Sequence, residues 1–233
     1  MTAPWTARLE ELAVAHGLPD GAVERLAAVL ELLRDDPTAP TTVTEPASAV
    51  AVHVADSLAG LEVAELRAAT RMADVGAGAG FPGIPLALAL PAAQVFLVES
   101  LARKCAFLER AVEAGRVANA SVVCARIEEW SERSLDAVVV RAVAPLSVLV
   151  EYAAPVLREG GALVAWKGRR DADEEAAGAA AARVLGMEAG PVRELAPSPG
   201  ADHRALHVYR KVGPTPARFP RRPGMARKRP LTG

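Results

Sequence analysis

A chain of 233 residues that is 51% hydrophobic and 24% charged has enough apolar side chains for one sizeable core with a small appendage, which excludes disorder throughout. Arg8, Glu10 and Glu11 stand where a signal peptide would carry its apolar centre, and Pro85, Pro91 and Gln94 break the most apolar later run; neither export nor a membrane span is expected, and the cytoplasm is the simplest compartment. The formal charge of -1 is unevenly placed: residues 210 to 233 hold eight of the 27 Lys and Arg and none of the 28 acids, a basic tail on an acidic body that points to a polyanion met at one edge.

In chain order, apolar residues at helical spacing predict helices over 5 to 16 (Leu9, Leu12, Ala13) and 22 to 34 (Val23, Leu26, Ala27, Leu30, Leu33), the second capped by Asp20. The Pro/Thr-rich segment 35 to 48 reads as a loop, and "AVAVHVADSLAG", residues 49 to 60, as a third helix closed by Gly60. Residues 1 to 60 therefore form a small helical extension. From residue 71 onward β-branched runs alternate with helical ones: "RMADV" with a helix near 82 to 90, "AQVFLVE" with "SLARKCAFLERAVEAG", "ANASVVCA" with "RIEEW", "LDAVVVRA" with a helix near 145 to 157, and "GGALVAWKG" with one near 172 to 185. Five strand-then-helix units imply a doubly wound, Rossmann-like α/β sheet of mostly parallel strands. "MEAGPVRELAP" and "HRALHVYRKV" have no helix between them and predict a closing antiparallel hairpin at one sheet edge. Residues 61 to 211 make this main domain. Five prolines in the remaining tail, 212 to 233, argue for an extended arm. Cys105 and Cys124, far apart and outside any C-x-x-C, argue against a disulfide framework or structural zinc, and His203 with His207 lack a third metal ligand.

The stretch "ADVGAGAGFPGIPLALAL", residues 73 to 90, carries two overlapping glycine patterns. Gly78, Gly80 and Gly83 satisfy the dinucleotide fingerprint G-x-G-x-x-G, whereas Gly76, Gly78 and Gly80 form the G-x-G-x-G loop of a nucleoside-sulfonium site. Ligands in open α/β sheets lie at the carboxyl ends of the strands, so this loop, Glu99, and Ile127 with Glu128 should converge. Glu99, about twenty residues past the glycines, suits the ribose hydroxyls of either ligand. Two features favour the sulfonium: Pro82 deletes a donor that a pyrophosphate would use at the helix start, and Ile127 with Glu128 offers an apolar cover and a polar edge for an adenine. Asp74, just before the loop, is placed to orient the loop backbone or a methionine ammonium group. The terminal hairpin also favours a class I S-adenosylmethionine-dependent methyltransferase over a dinucleotide domain.

These residues resemble the RsmG (GidB) methyltransferases, which N7-methylate a guanine in the decoding-region loop of 16S ribosomal RNA. "HVADS" (His53 to Ser57) is similar to the family's H-I-x-D-S, "DVGAGAGFPGIPLAL" to its glycine-proline loop, and "LVES" with "ARKCAFL" to its acid-serine segment. "ARIEE", "VVVRAVAPL", "WKG" and "PARFPRRPGMARKRPL" continue the series, while Val52 stands where the family usually has a basic residue. The resemblance implies S-adenosyl-L-methionine as cofactor, with Gly76 and Phe81 lining its loop, Ile127 and Glu128 on the adenosine, and Arg141 at the mouth shared with substrate. It implies 16S rRNA within the small ribosomal subunit as partner, and the chain is expected to act as a monomer without a metal.

Guanine N7 already carries an in-plane lone pair, so alignment and exclusion of water, rather than a general base, are what such an enzyme must supply. Arg141 then meets O6, a phosphate or the cofactor, because a donor on N7 would block attack. His53 and Asp56 share one helix face, as a packing pair or at the active-site mouth, and Lys167 is placed to hold a phosphate. Arg103, Lys104 and the tail from Arg218 to Arg229 are the expected RNA contacts, and so small a basic surface points to a ribonucleoprotein rather than bare RNA. The competing readings are an NAD-dependent oxidoreductase and a non-catalytic RNA-binding module that keeps a dead cofactor pocket.

Overall fold

The structure, a computed structural model, describes residues 4–195 and 203–231. Helices α1 (Pro4–His16) and α2 (Ala22–Asp35) form the extension. α2 is preceded by Gly21 in a left-handed conformation with no side-chain cap, so Asp20 does not serve as its cap. Residues 46–62 wind as one helical stretch: α3 (Pro46–Ala49), a π-helical turn (Val50–Ala55), α4 (Asp56–Leu58) and a 3₁₀ turn (Ala59–Glu62). Gly60 does not close it. The Trp166 ring occupies the space that a Cβ on Gly60 would need, and this packing explains the glycine. α5 (Ala64–Arg67) then leads into the sheet.

The parallel strands are β1 (Arg71–Val75), β2 (Gln94–Glu99), β3 (Ala120–Cys124), β4 (Leu135–Arg141) and β5 (Leu157–Lys167). Four are followed by helices, α6 (Gly83–Ala89), α7 (Ala102–Ala114), α8 (Leu146–Ala153) and α9 (Ala172–Val184). The helix expected over "RIEEW" does not form; residues 126–130 make a turn whose Ile127 side chain is buried, leaving too few residues for a helix to pack. β6 (Met187–Ala189), β7 (Arg193–Glu194) and β8 (Ala205–Lys211) complete the order β3-β2-β1-β4-β5-β8-β6, with β7 also on β8. β8 runs antiparallel between β5 and β6, so the closing hairpin is built with its second strand inside the sheet.

The central strands are buried on both faces, and successive side chains alternate between two apolar clusters. Met72, Ala137 and Val139 face a cluster with Leu9, Leu26, Val54, Ile84 and Phe107 from α1, α2, the 46–62 stretch, α6 and α7. Ala73, Val138 and Val140 face the opposite cluster with Leu149, Ala182, Tyr209 and Phe219. The helical extension is thus part of one core layer. The tail is not the extended arm its prolines suggest. Phe219 and Ala226 are buried, α10 (Met225–Lys228) forms one turn beside α8, and buried Glu151 holds Arg221 through both carboxylate oxygens at 2.6 and 2.5 Å. Among the described residues no helix is long and apolar enough to cross a membrane.

Candidate active site

The strand order reverses between β1 and β4, and the loop after β1 opens there into a cleft of about 540 Å³, within the range of roughly 300 to 1,000 Å³ usual for small-molecule sites. Gly76 and Ala77 donate to the Val98 carbonyl at 2.8 and 3.2 Å, tying the loop to β2. Gly76, Gly78 and Gly80 all have positive φ, a region costly for other residues, yet they serve different ends. A Cβ on Gly76 would strike Val143 and one on Gly80 would strike Ile84, whereas on Gly78 it would meet only the Gly76 carbonyl at 3.7 Å. Gly76 and Gly78 line the cleft; Gly80 lies behind it. Asp74 does not line it either. This carboxylate is 1% exposed and accepts the Gly83 N–H at 2.8 Å through Oδ2, while Oδ1 has no hydrogen-bond partner among the described residues. Burial pushes it up to about 7. Asp74 therefore takes the role of fixing the loop backbone. Gly83 N–H is spent on Asp74, Ile84 N–H on the Gly80 carbonyl, and Pro82 has none, so the start of α6 offers no row of donors to a pyrophosphate.

At the end of β2, Glu99 accepts from Ser100 and Leu101 N–H at 2.8 and 3.0 Å and from Gly78 N–H at 3.3 Å, with Lys104 at 3.9 Å. Its carboxylate is thus fixed at the cleft wall. Cys105 and Cys124 are disulfide-bonded, contrary to the expectation from their spacing. Glu99 pairs with Cys124 in the β2–β3 register and α7 starts three residues after Glu99, so a β-α-β crossover brings together residues 19 apart in sequence. At the third strand end Ile127 and Glu128 both line the cleft. Glu128 accepts the Gly224 N–H at 2.9 Å and Arg227 donates to the Val143 carbonyl at 3.0 Å, so the folded tail closes this side. Gly224, Arg227 and Tyr152 also line the cleft; motif spacing at the strand ends did not single them out.

Arg141, at the end of β4, reaches the helical stretch instead of projecting freely. Its Nη1 donates to the Val52 carbonyl and Asp56 Oδ2, both at 3.0 Å, and its Nη2 lies 3.0 Å from His53 Nδ1. Arginine has no acceptor, so Nδ1 accepts and Nε2 carries the proton, donating to Thr41 Oγ1 at 3.2 Å. Burial and then the Arg141 charge lower His53 to about 4, which keeps it neutral. The ring stacks on Phe81 at 4.7 Å, and the Arg141 guanidinium lies 5.8 Å from the Phe81 centroid. His53 and Asp56 do not pair with each other; both grip Arg141. His53, Phe81 and Arg141 line the cleft. Lys167 does not line this cleft and lies 2.6 Å from Glu174 and 3.3 Å from the Ala144 carbonyl, and Arg103 is exposed on α7.

A family model described as rRNA small subunit methyltransferase G matches residues 37–199. The chain belongs to the GidB family. It is 45% identical over 197 residues to the ribosomal RNA small subunit methyltransferase G of Rubrobacter xylanophilus (81% of this chain, 76% of that one) and 39% identical over 196 residues to that of Desulfitobacterium hafniense (82% and 81%). A solved precorrin-6y C5,15-methyltransferase from Geobacter metallireducens superimposes with a TM-score of 0.55 at 16% identity, over 76% of this chain and 95% of that one, a likeness of fold. The GidB match ends before the tail, yet Gly224 and Arg227 complete the cleft of this GidB chain.

Proposed function

We propose that this chain transfers a methyl group from S-adenosylmethionine to N7 of a guanine in the decoding-region loop of 16S ribosomal RNA, acting as a cytoplasmic monomer on the small ribosomal subunit. The observation that carries the reading is the convergence, in a GidB-family chain, of Gly78, Glu99 and Ile127 with Glu128 on one cleft beside Arg141. The residues fit the cofactor: Gly78 leaves its backbone open, Glu99 presents a carboxylate to ribose hydroxyls, and Ile127 gives an apolar cover for an adenine. When bound, the cofactor supplies an electrophilic methyl group on a positive sulfur. The chain's own residues need take no proton from guanine, because N7 offers a lone pair, and their work is to hold the partners and exclude water. Phe81, stacked on His53, walls the cleft, and the contacts of Arg141 hold that wall to the helical stretch.

Thermal melts test the cofactor. S-adenosylmethionine is expected to raise Tm and NADH at the same concentration to leave it unchanged; the reverse would return the site to the dinucleotide reading. The partner is tested by methyl incorporation, expected to be higher with small subunits than with protein-free 16S RNA, and equal rates would remove the ribonucleoprotein requirement.

A further inference from the structure

A second cavity, about 310 Å³, adjoins the cofactor cleft across His53, Arg141 and Ala142. Its floor and sides come from Val52, Trp166 and Gly168, and its cations are Arg141, Lys167 and Arg204. No acid lines it. Two of the three cations are committed: Arg141 to Val52, Asp56 and His53, and Lys167 to Glu174 at 2.6 Å. Arg204 is held more loosely, with Nε 3.5 Å from Asp56 Oδ1, Nη1 3.3 Å from the His203 carbonyl, and its side chain 30% exposed. The antiparallel run of β8 puts it there. Ala205, the first residue of β8, pairs with Lys167, so Arg204, the residue before the strand, arrives at the carboxyl edge of the parallel strands near Gly168. A Cβ on Gly168 would meet only Arg204 Nη1, at 3.9 Å, so the space above Gly168 is open.

We propose that this cavity receives the target guanine base and that Arg204 is the donor that reads its O6. The proposal rests on the N7-methyltransferase reading. A pocket lined by Val52, Trp166 and Gly168 with one loosely held donor suits a base turned out of an RNA loop. Guanine presents N7 and O6 acceptors side by side, whereas adenine replaces O6 with an amino donor that a guanidinium repels. A donor on O6 leaves the N7 lone pair unblocked towards the adjoining cofactor cleft, and Asp56, gripping Arg141 on Oδ2 and facing Arg204 with Oδ1, aligns the two cavities.

The test uses the full chain and small ribosomal subunits lacking the modification, in wild-type form and with the target guanine replaced by adenine. Arg204→Met is expected to slow guanine methylation by about 10- to 100-fold, the value of a base-edge contact, and to narrow the guanine-to-adenine rate ratio. Gly168→Val, which fills the cavity from its floor, is expected to slow both substrates. S-adenosylmethionine affinity, measured by calorimetry, should stay at the wild-type value in both variants, which also reports that they fold. Wild-type rates in both variants, or an unchanged guanine-to-adenine ratio in Arg204→Met, overturn the proposal; so does a loss of cofactor affinity that accounts for the slower reaction. No methylation by the wild-type chain would remove the functional reading and this inference together, whereas methylation that survives both substitutions removes the inference alone.

Discussion

Arg141 holds the site together because three groups of the helical stretch take its donors and Asp56, with a side chain 2% exposed, has no water to fall back on. Arg141→Ala is expected to cost about 3 kcal/mol in urea unfolding, the low end for breaking a buried pair, since Arg204 stays near the carboxylate; a loss below half that would contradict the account. Two buried groups here titrate in opposite senses. His53 is lowered from 6.5 to about 4, so its contribution to stability is complete above pH 6.5 and is lost as pH falls towards 4. Asp74 is raised from 3.8 to about 7, so its contribution is complete below pH 3.8 and is lost as pH rises towards 7. In urea unfolding across that window, stability relative to wild type should fall with rising pH for His53→Gln and rise for Asp74→Asn; parallel profiles would refute both assignments. The acids and glycines of this site were legible because the glycine pattern and strand-end logic locate them in sequence. Orienting the loop backbone was one of two roles left open for Asp74, and its bond to Gly83 is of that kind; that His53 and Asp56 meet Arg141 rather than each other was not legible, because these contacts span 88 and 85 residues.

Among the elements, the parallel strands were legible as short apolar runs alternating with helical ones, and such continuous runs suit strands buried on both faces. The turn after β3 failed the same reading: "RIEEW" has helical composition, but its span is set by what Ile127 and Glu128 must touch. Proline content likewise suggested an arm, while Phe219 and the Arg221–Glu151 pair, invisible to local spacing, dock the tail. Glu151→Ala, which strands Arg221 without its carboxylate, is therefore expected to speed tryptic cleavage between residues 218 and 229 and to weaken S-adenosylmethionine binding through the Gly224–Glu128 contact; unchanged cleavage would show the tail held otherwise. The Cys105–Cys124 bond closes a loop of 19 residues, worth about 3 kcal/mol in a chain-entropy account. Reductant should lower the urea midpoint of wild type and leave Cys124→Ser unmoved, and equal midpoints with and without reductant would contradict it.

At the scale of the whole molecule, one sheet carries the cofactor cleft on its carboxyl edge, a basic tail strapped beside it, and an antiparallel strand that turns Arg204 towards the same edge. The net charge of -1 conceals this arrangement, and the concentration of cations in the tail is what gives a polyanion one face to approach. Arg222→Gln and Lys228→Gln, both on the outer tail, should each lower the slope of log binding against log salt by about 1 while leaving cofactor affinity in place. The central claim is tested most directly by incubating the chain with labelled S-adenosylmethionine and small ribosomal subunits that lack the modification, then cleaving the RNA chemically at 7-methylguanosine. The account predicts label in 16S RNA and one new cleavage within the decoding-region loop. Label at another atom or outside that loop, or no incorporation by a chain that binds the cofactor, would contradict it.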